Sequence, residues 1–236
     1  MLITTFNILA DEFVSPDKKL RDWWYPTIDY ADLKMKNRFH TVIKHIKGDI
    51  ILLQEVTLHV RRQLNTIFGD DYIVLPLSKH KTTGTGNLTI VRRNKFTSVK
   101  HETFYLGDVA IGLTEIDGID VYNIHLDDAS MTTRRRQLNK IIATFDTNNK
   151  IIVGGDCNTD DPVLHAMLSS INFEMNVVEK KGTYLCEKPM IDWIYVYGFS
   201  SSVVRVNNTI SGSDCYRKTI KKYGSDHHPV IARVSH

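Results

Sequence analysis

At 236 residues, with 42% hydrophobic and 24% charged residues and a net charge of +3, the sequence has a soluble globular protein's composition and the length to bury a sizeable core. The small positive charge permits a polyanionic substrate without demanding one, so any basic footprint has to be local. No Pro-, Gly- or Ser-rich linker and no internal repeat divides the chain, so one domain over residues 1–236 is expected.

Cys157, Cys186 and Cys215 lack paired spacing, which argues against a disulfide framework and for a reducing compartment. The first strand-like run begins at Leu2, leaving no room for a signal peptide, and no apolar run reaches membrane-spanning length. The expectation is a cytoplasmic or nuclear monomer without a membrane partner.

Leu2–Phe6 is rich in β-branched residues and reads as a strand, with Asn7 at its end. Asn is ordinarily a turn residue there, but its oxygen also suits a cation or its waters. Residues 11–32 read as irregular. The knot Trp23-Trp24-Tyr25-Pro26 either packs over a core edge or offers stacking faces to bases. Asp32 reads as the N-cap of an amphipathic helix through Phe39, Val42, Ile43 and Ile46, ending near Gly48.

Asp49–Leu53 is a short continuous apolar run, the mark of a strand buried on both faces, and it stops at Gln54-Glu55. A carboxylate just after a buried strand must be solvated, paired or bound to metal. Thr57 can cap a second helix carrying Val60, Leu64 and Ile67, and Tyr72–Leu75 follows as a strand. Lys79–Gly86 is a small, polar, basic loop with no P-loop pattern, read first as solvated and second as a substrate contact. Asn87–Val91, Phe96–Val99, Val109–Ile116 and Ile119–Ile124 give successive strands, the last two joined by Asp117-Gly118. His125 ends the series, and Asp127 and Asp128 read as solvated loop acids.

A helix over Thr132–Phe145 carries its apolar face on Leu138, Ile141, Ile142 and Phe145. Arg134 falls on the same face, and an inward guanidinium must find an acid or a phosphate; a structural ion pair is the preferred reading. Lys150–Val153 is another buried strand, after which Gly154-Gly155 turns sharply into Asp156-Cys157-Asn158. Strand alternation would point Asp156 and Asn158 to one side and make Cys157 a packing residue. Asp161-Pro162 opens a short helix to Ser170, and Phe173–Val178 reads as a strand. In the strand Met190–Val196, Asp192 is embedded among apolar residues, where an imidazole is its natural partner. Val203–Val206 is a further strand. Tyr216–Tyr223 reads as a basic, aromatic-flanked loop in which Arg217 and Lys218 are candidate nucleic-acid contacts. Finally Gly224-Ser225-Asp226-His227-His228-Pro229 delivers an acid and an imidazole to the strand Val230–Val234.

Four strand-like runs therefore end in polar residues, namely Asn7, Glu55, His125, and Asp156 with Asn158, and Asp226 with His227 leads into a fifth. Hydrolysis of a phosphate ester needs such a set: oxygen ligands for a hard divalent ion, a carboxylate to aim water, and imidazoles near the phosphoryl oxygens. No HExxH or CxxC spacing offers a zinc site.

Phe6-Asn7, Leu53-Gln54-Glu55-Val56, Asn123-Ile124-His125-Leu126, Gly155-Asp156-Cys157-Asn158, Ile191-Asp192-Trp193-Ile194 and Ser225-Asp226-His227 resemble, in this order, the motifs of the endonuclease/exonuclease/phosphatase superfamily. Asn7-Ile8-Leu9-Ala10-Asp11, the Tyr25-Pro26 to Arg38 approach, and Gly86 leading to Lys95-Phe96 look most like its deadenylase-related branch. The chain departs from that branch in its shorter length, in Cys157, and in Thr159-Asp160-Asp161-Pro162 where a Ser-Pro turn is common.

The resemblance implies an α/β fold, a four-layered α/β-sandwich of two packed, mainly antiparallel mixed sheets flanked by helices. It implies a Mg²⁺- or Mn²⁺-dependent nuclease acting on RNA or single-stranded nucleic acid. Glu55 with Asn7 would hold the metal, and Asp226 would orient this shell or add a ligand. Asp156 would align or deprotonate water with help from Asn158, and His125 would contact the scissile phosphate. His227, kept cationic by Asp192, would stabilise the transition state or act as the base, and both roles stay open. Arg134 is carried with Arg217 and Lys218 as a substrate contact, and His228 is read as structural. A tyrosyl-DNA phosphodiesterase, or a phosphatase on a small or lipid-linked ester, would use the same residues. A non-catalytic binding module is the remaining alternative.

Overall fold

The strand Ile50–Leu53 is fully buried on both faces, and its residues divide by alternation. Ile50 and Leu52 enter one core with Ile3, Ile152 and Ile194, while Ile51 and Leu53 enter a second with Phe6, Val42 and Leu64. This division explains the uninterrupted apolar run, since each face of the strand has a core to fill. Full burial of each such side chain contributes about 1.5–3 kcal/mol.

The computed structural model describes residues 1–25, 28–177, 182–184, 189–206, 210 and 214–235, without the side chains of 21, 23, 24 and 201. Its elements are β1 (Leu2–Asn7), α1 (Lys18–Trp24), α2 (Tyr30–Leu33), α3 (Met35–Ile43), β2 (Ile50–Thr57), α4 (Leu58–Phe68), β3 (Tyr72–Val74), β4 (Ser78–Lys79), β5 (Thr85–Arg92) and β6 (Val99–Leu106). There follow β7 (Val109–Ile116), β8 (Ile119–His125), α5 (Met131–Ile142), β9 (Lys150–Asp156), α6 (Pro162–Ser169), β10 (Asp192–Tyr197), β11 (Ser201–Val206), α7 (Cys215–Tyr223) and β12 (Val230–Ser235). One sheet runs β11-β12-β1-β2-β5-β3 with β4 on β5, and the other runs β10-β9-β8-β7-β6. Pairing is antiparallel except for β1–β2 and β8–β9. Helices α3, α4 and α7 pack on the outer face of the first sheet, while α5 and α6 supply Leu138, Ile141, Leu164 and Leu168 to the other core. The four-layered α/β-sandwich expected from the sequence is the fold observed.

Several local expectations are corrected. The helix expected from Asp32 to Gly48 is two helices, because Lys34 is extended (φ −72°, ψ 131°) and Asp11 Oδ1 accepts the Met35 N–H at 2.6 Å. Residues 11–32, read as irregular, contain a 3₁₀ turn, α1 and α2. The strand placed at Phe96–Val99 is β6, beginning at Val99, a sheet edge whose half-exposed polar residues hide the periodicity. Tyr216–Tyr223 is helical, since Cys215, Thr219, Ile220 and Tyr223 are buried on one face while Arg217, Lys218, Lys221 and Lys222 face solvent. Residues 173–177 contribute isolated bridges to β10 and β11, and Val178 lies outside the described residues.

Cys215 is disulfide-bonded, which corrects the expectation of unpaired cysteines; Cys186 lies outside the described residues and Cys157 is a free, buried thiol. Of the aromatic knot, Tyr25 is described and buried, while the Trp23 and Trp24 side chains and Pro26 fall outside the description. No helix among the described residues is long and apolar enough to cross a membrane.

Candidate active site

Register alone brings three of the expected residues together. In the second sheet His125 pairs with Asp156 across β8–β9, and Asp156 pairs with Asp192 across β9–β10. Directly opposed residues present side chains on one face, so the three line up along one end of the sheet. Gly155 makes this possible: its φ is +153°, and a Cβ there would lie 1.8 Å from the Ile124 carbonyl oxygen. The first sheet brings Asn7 at the end of β1 beside Gln54 in β2.

Strand β2 does not stop at Gln54, as its sequence suggests. It continues to Thr57 through a bulge between Leu53 and Val56, where the register against β5 shifts and Glu55 adopts φ 59°. The bulge directs the Glu55 carboxylate at the site. Oε1 accepts from Asn7 Nδ2 at 2.7 Å and Oε2 from the Ala10 N–H at 2.8 Å.

The same Asn7 Nδ2 donates to Asp156 Oδ2 at 2.9 Å, so one amide links acids from the two sheets. Asp156 Oδ2 also lies 3.6 Å from His125 Nε2 and 3.6 Å from His227 Nε2. The other ring nitrogen of His227, Nδ1, meets Asp192 Oδ2 at 2.9 Å. Thr183 Oγ1 accepts the backbone N–H groups of Ile191 and Asp192, fixing the start of β10. Asp226 Oδ2 accepts from the Tyr25 hydroxyl at 2.8 Å, and Ser225 Oγ donates to Asn7 O at 2.7 Å, tying this loop to β1. Glu55, His125, Asp156, Asn158, Asp226 and His227 all line one cleft of about 520 Å³.

Burial shapes the charges. For His227 burial alone would lower the pKa, but the carboxylates of Asp192 and Asp156 outweigh it and hold the imidazole well above its usual range. Burial pushes the Asp192 carboxyl up to about 6, so at neutral pH a carboxylate faces an imidazolium. Burial also raises Glu55, with a further contribution from nearby Asp226. Cys157 is raised well above a free thiol by burial, which fits the packing role expected and removes it as a nucleophile.

The family model for "Endonuclease/Exonuclease/phosphatase family" matches residues 4–227 of this sequence. This chain belongs to that family. Its members are hydrolases of phosphoester bonds, and the family generally uses divalent metals. Among solved structures, the chain is similar to the family protein from Bacteroides vulgatus, at 20% identity and TM-score 0.67, covering 99% of this chain and 98% of that one. It is similar to a beta toxin from Staphylococcus aureus at 16% identity and TM-score 0.64, each chain covered in full at 100%. It is also similar to a truncated TDP2 from Caenorhabditis elegans at 17% identity and TM-score 0.61, over 100% of this chain and 97% of that one. At these identities the likeness is one of fold. No curated protein matches the sequence.

The donor set suits the metal that the family uses. Glu55, Asp156, Asp192 and Asp226 are four buried carboxylates, and Asp192 Oδ1 has no hydrogen-bond partner among the described residues. With His227 as a cation the site keeps an excess of buried negative charge, which a hard divalent ion bound by oxygen offsets. Ligand atoms of Asp156, Asp192 and His227 lie within 4.8 Å of one another, a group that could hold an ion. Asp192 already spends one oxygen on His227 Nδ1, which favours the Glu55 side for a cation. Asn7 points its amide nitrogen at the acids, while its Oδ1 accepts from the Leu9 N–H at 3.0 Å. Serving as a ligand would take the opposite amide orientation.

Asn158 departs from strand alternation. Its φ is 54°, its N–H donates to Asp156 Oδ1 at 2.8 Å, and its Nδ2 donates to Leu126 O at 2.8 Å. It lines the cleft and fixes Asp156 through a turn. Arg134 is buried as expected, but it forms no ion pair among the described residues; Nη1 donates to Asp127 O at 2.7 Å. Arg217 and Lys218 are exposed on α7. His228 is buried with its ring 4.8 Å from that of Tyr223.

Sequence reasoning missed Arg38, Tyr184 and His80, and set aside Asp127 and Asp128, which line the cleft. Arg38 is buried and donates to the carbonyls of Ile8, Leu9, Leu33 and Gly224, joining the end of β1 to the loop that carries His227. Its signal was a charged residue three after Met35 and four before Val42, on the buried face of α3. The Tyr184 ring packs 4.9 Å from that of His227, and His80 lies 6.0 Å from His125 between ring centres.

Proposed function

We propose that this protein is a divalent-metal-dependent phosphodiesterase that cleaves RNA or single-stranded nucleic acid. The observation that carries the reading is the convergence of His125, Asp156 and His227 on one cleft beside Glu55. Glu55, with Asn7 and Asp226, would hold Mg²⁺ or Mn²⁺, and the ion would supply neutralisation of charge on the phosphoryl oxygens.

The chain's own groups divide the remaining work. Asp156 is fixed by Asn158 N–H on Oδ1 and Asn7 Nδ2 on Oδ2, and the second lone pair of Oδ2 would aim a water at phosphorus and accept its proton. His227, cationic through Asp192, turns Nε2 into the cleft and stabilises charge on the phosphoryl group as it builds. His125 contacts the same group from β8. Tyr184 and Tyr25 line the cleft and hold His227 and Asp226 in place.

A nucleic acid strand is favoured by the exposed face of α7. Arg217, Lys218, Lys221 and Lys222 form a basic surface, and the helix ends at Gly224, two residues before Asp226. The sequence likeness to the deadenylase-related branch points to RNA in the same way.

The test is a panel of labelled single- and double-stranded RNA and DNA, inositol phosphates and tyrosyl-linked DNA, each with Mg²⁺ or Mn²⁺. Cleavage of RNA or single-stranded DNA is expected, and Asp156→Ala is expected to lower turnover by about 10²- to 10⁴-fold. Hydrolysis confined to a non-nucleotide ester would overturn the nuclease reading.

A further inference from the structure

Glu55 borders two cavities. On one side lies the cleft with Asp156 and the imidazoles; on the other lies a pocket of about 610 Å³ set between the first turns of α3 and α4. Nothing in the chemistry above uses this second space. Its volume falls within the range of about 300–1,000 Å³ that small-ligand sites occupy.

The lining is mixed, with the carboxylates of Asp11 and Glu55 on it and Asn37, His59 and Gln63 among its polar groups. Met35 and Val60 give a buried apolar floor, and the Tyr30 ring stands at the wall with Lys34 Nζ 4.3 Å from its centre. Lys36 is exposed at the rim. An apolar floor, one aromatic face and ammonium groups at the mouth suit a flat heterocycle joined to phosphate. They suit a lone inorganic anion poorly, because the floor offers it no partner.

A phosphoryl group held through a cation at Glu55 would carry substituents in two directions, and a cavity lies on either side of Glu55. A monoester would fill one and leave the other to water. We propose that the pocket beyond Glu55 binds the nucleotide unit adjoining the scissile phosphate, so that the substrate is a diester extended on both sides of phosphorus. The inference rests on the phosphodiesterase reading and narrows it.

The experiment compares wild type with Ala31→Trp, which places bulk in the pocket from an exposed position of α2, and with Lys36→Glu, which reverses charge at the rim. Substrates are a labelled single-stranded oligoribonucleotide, bis(4-nitrophenyl) phosphate and 4-nitrophenyl phosphate, with Mn²⁺ present. For the oligonucleotide, KM is expected to rise at least about tenfold in both variants while kcat falls less than about threefold. This split distinguishes a lost binding contact from a damaged catalytic centre. Melting temperatures verify that each variant folds. If wild type cleaves the diesters and both variants keep its KM within twofold, the pocket assignment fails and the phosphodiesterase reading stands. If wild type hydrolyses the monoester and neither diester, both fall together.

Discussion

Ala110 gives its backbone N–H to His80 Nδ1 at 2.9 Å, so the neutral ring carries its proton on Nε2, in the cleft beside His125. Burial and then the nearby His125 push this imidazole down to about 4, so it is an uncharged donor at neutral pH. The linkage has a definite sign. The unfolded ring binds its proton near pH 6.5 and the folded ring near 4, so stability is intact above 6.5 and declines as pH falls between the two values. The loss is about 3 kcal/mol by the usual conversion of a shift into free energy. His80→Gln keeps an acceptor for Ala110 and does not titrate, so its denaturation midpoint is expected to be flatter than wild type between pH 6.5 and 4. Equal slopes in urea titrations of the two proteins would refute the buried neutral state. His80 was invisible in the sequence because a His in a polar loop acquires meaning only once the second sheet packs against the first and its strand β7 brings Ala110 to it. Asp192 was legible for the opposite reason: an acid inside an apolar strand demands a partner wherever the chain goes, and His227 supplies it. Glu55 was legible as a residue and not as a conformation, since its φ of 59° follows from a register shift against β5 that β2 alone does not encode.

Helix α3 does more than cover the first sheet. Arg38, on its buried face, holds four backbone carbonyls from β1's exit, the α2–α3 junction and the turn after α7. Gly224 closes the same contact, because its φ is +70° and a Cβ would lie 2.9 Å from Arg38 O. Replacing the guanidinium strands several buried acceptors, a loss of about 3–5 kcal/mol when a buried charged group is removed from its partners. Arg38→Met is therefore expected to lower the melting temperature by roughly 6–20 °C. Arg38→Lys is expected to recover little of it, since a single ammonium cannot span four carbonyls in a planar fork. Recovery of the full wild-type melting temperature by Lys would show that charge, and not the fork, is what the site requires. Element boundaries were read best where one strong local signal sets them, as with Thr57 accepting the Val60 N–H at the start of α4 and Asp161-Pro162 opening α6. They were misread where a distant group decides. Asp11 caps α3 from 24 residues away, and no window over residues 30–48 contains it.

Each sheet holds an incomplete part of the site. Asn7, Glu55, Asp226 and His227 belong to the first sheet and its approach to β12, while His125, Asp156 and Asp192 belong to the second. Between the sheets the contact is apolar over most of its area, then turns polar toward the site through Gln54 Nε2 donating to Asn123 Oδ1 at 2.8 Å and Asn87 Nδ2 donating to Asn123 O at 3.1 Å. The family motifs made this convergence legible in outline, because each lies at or near one end of a strand, closing β1, β2, β8 and β9 and opening β10 and β12. How the halves meet was not legible, since Asn7 bridging Glu55 and Asp156 depends on the relative placement of two sheets. Acids gathered from both sheets repel one another, so an ion bound among them should stabilise the whole molecule and not one loop. At a free ion concentration about 100 times Kd the gain is about 2.7 kcal/mol. For a chain of this size that is roughly 5–10 °C in melting temperature. Mg²⁺ or Mn²⁺ is thus expected to raise Tm, chelation to reverse the rise, and Glu55→Gln to abolish it while folding normally. A rise of equal size in Glu55→Gln would place the ion elsewhere, with the buried Asp156, Asp192 and His227 group the next set to substitute.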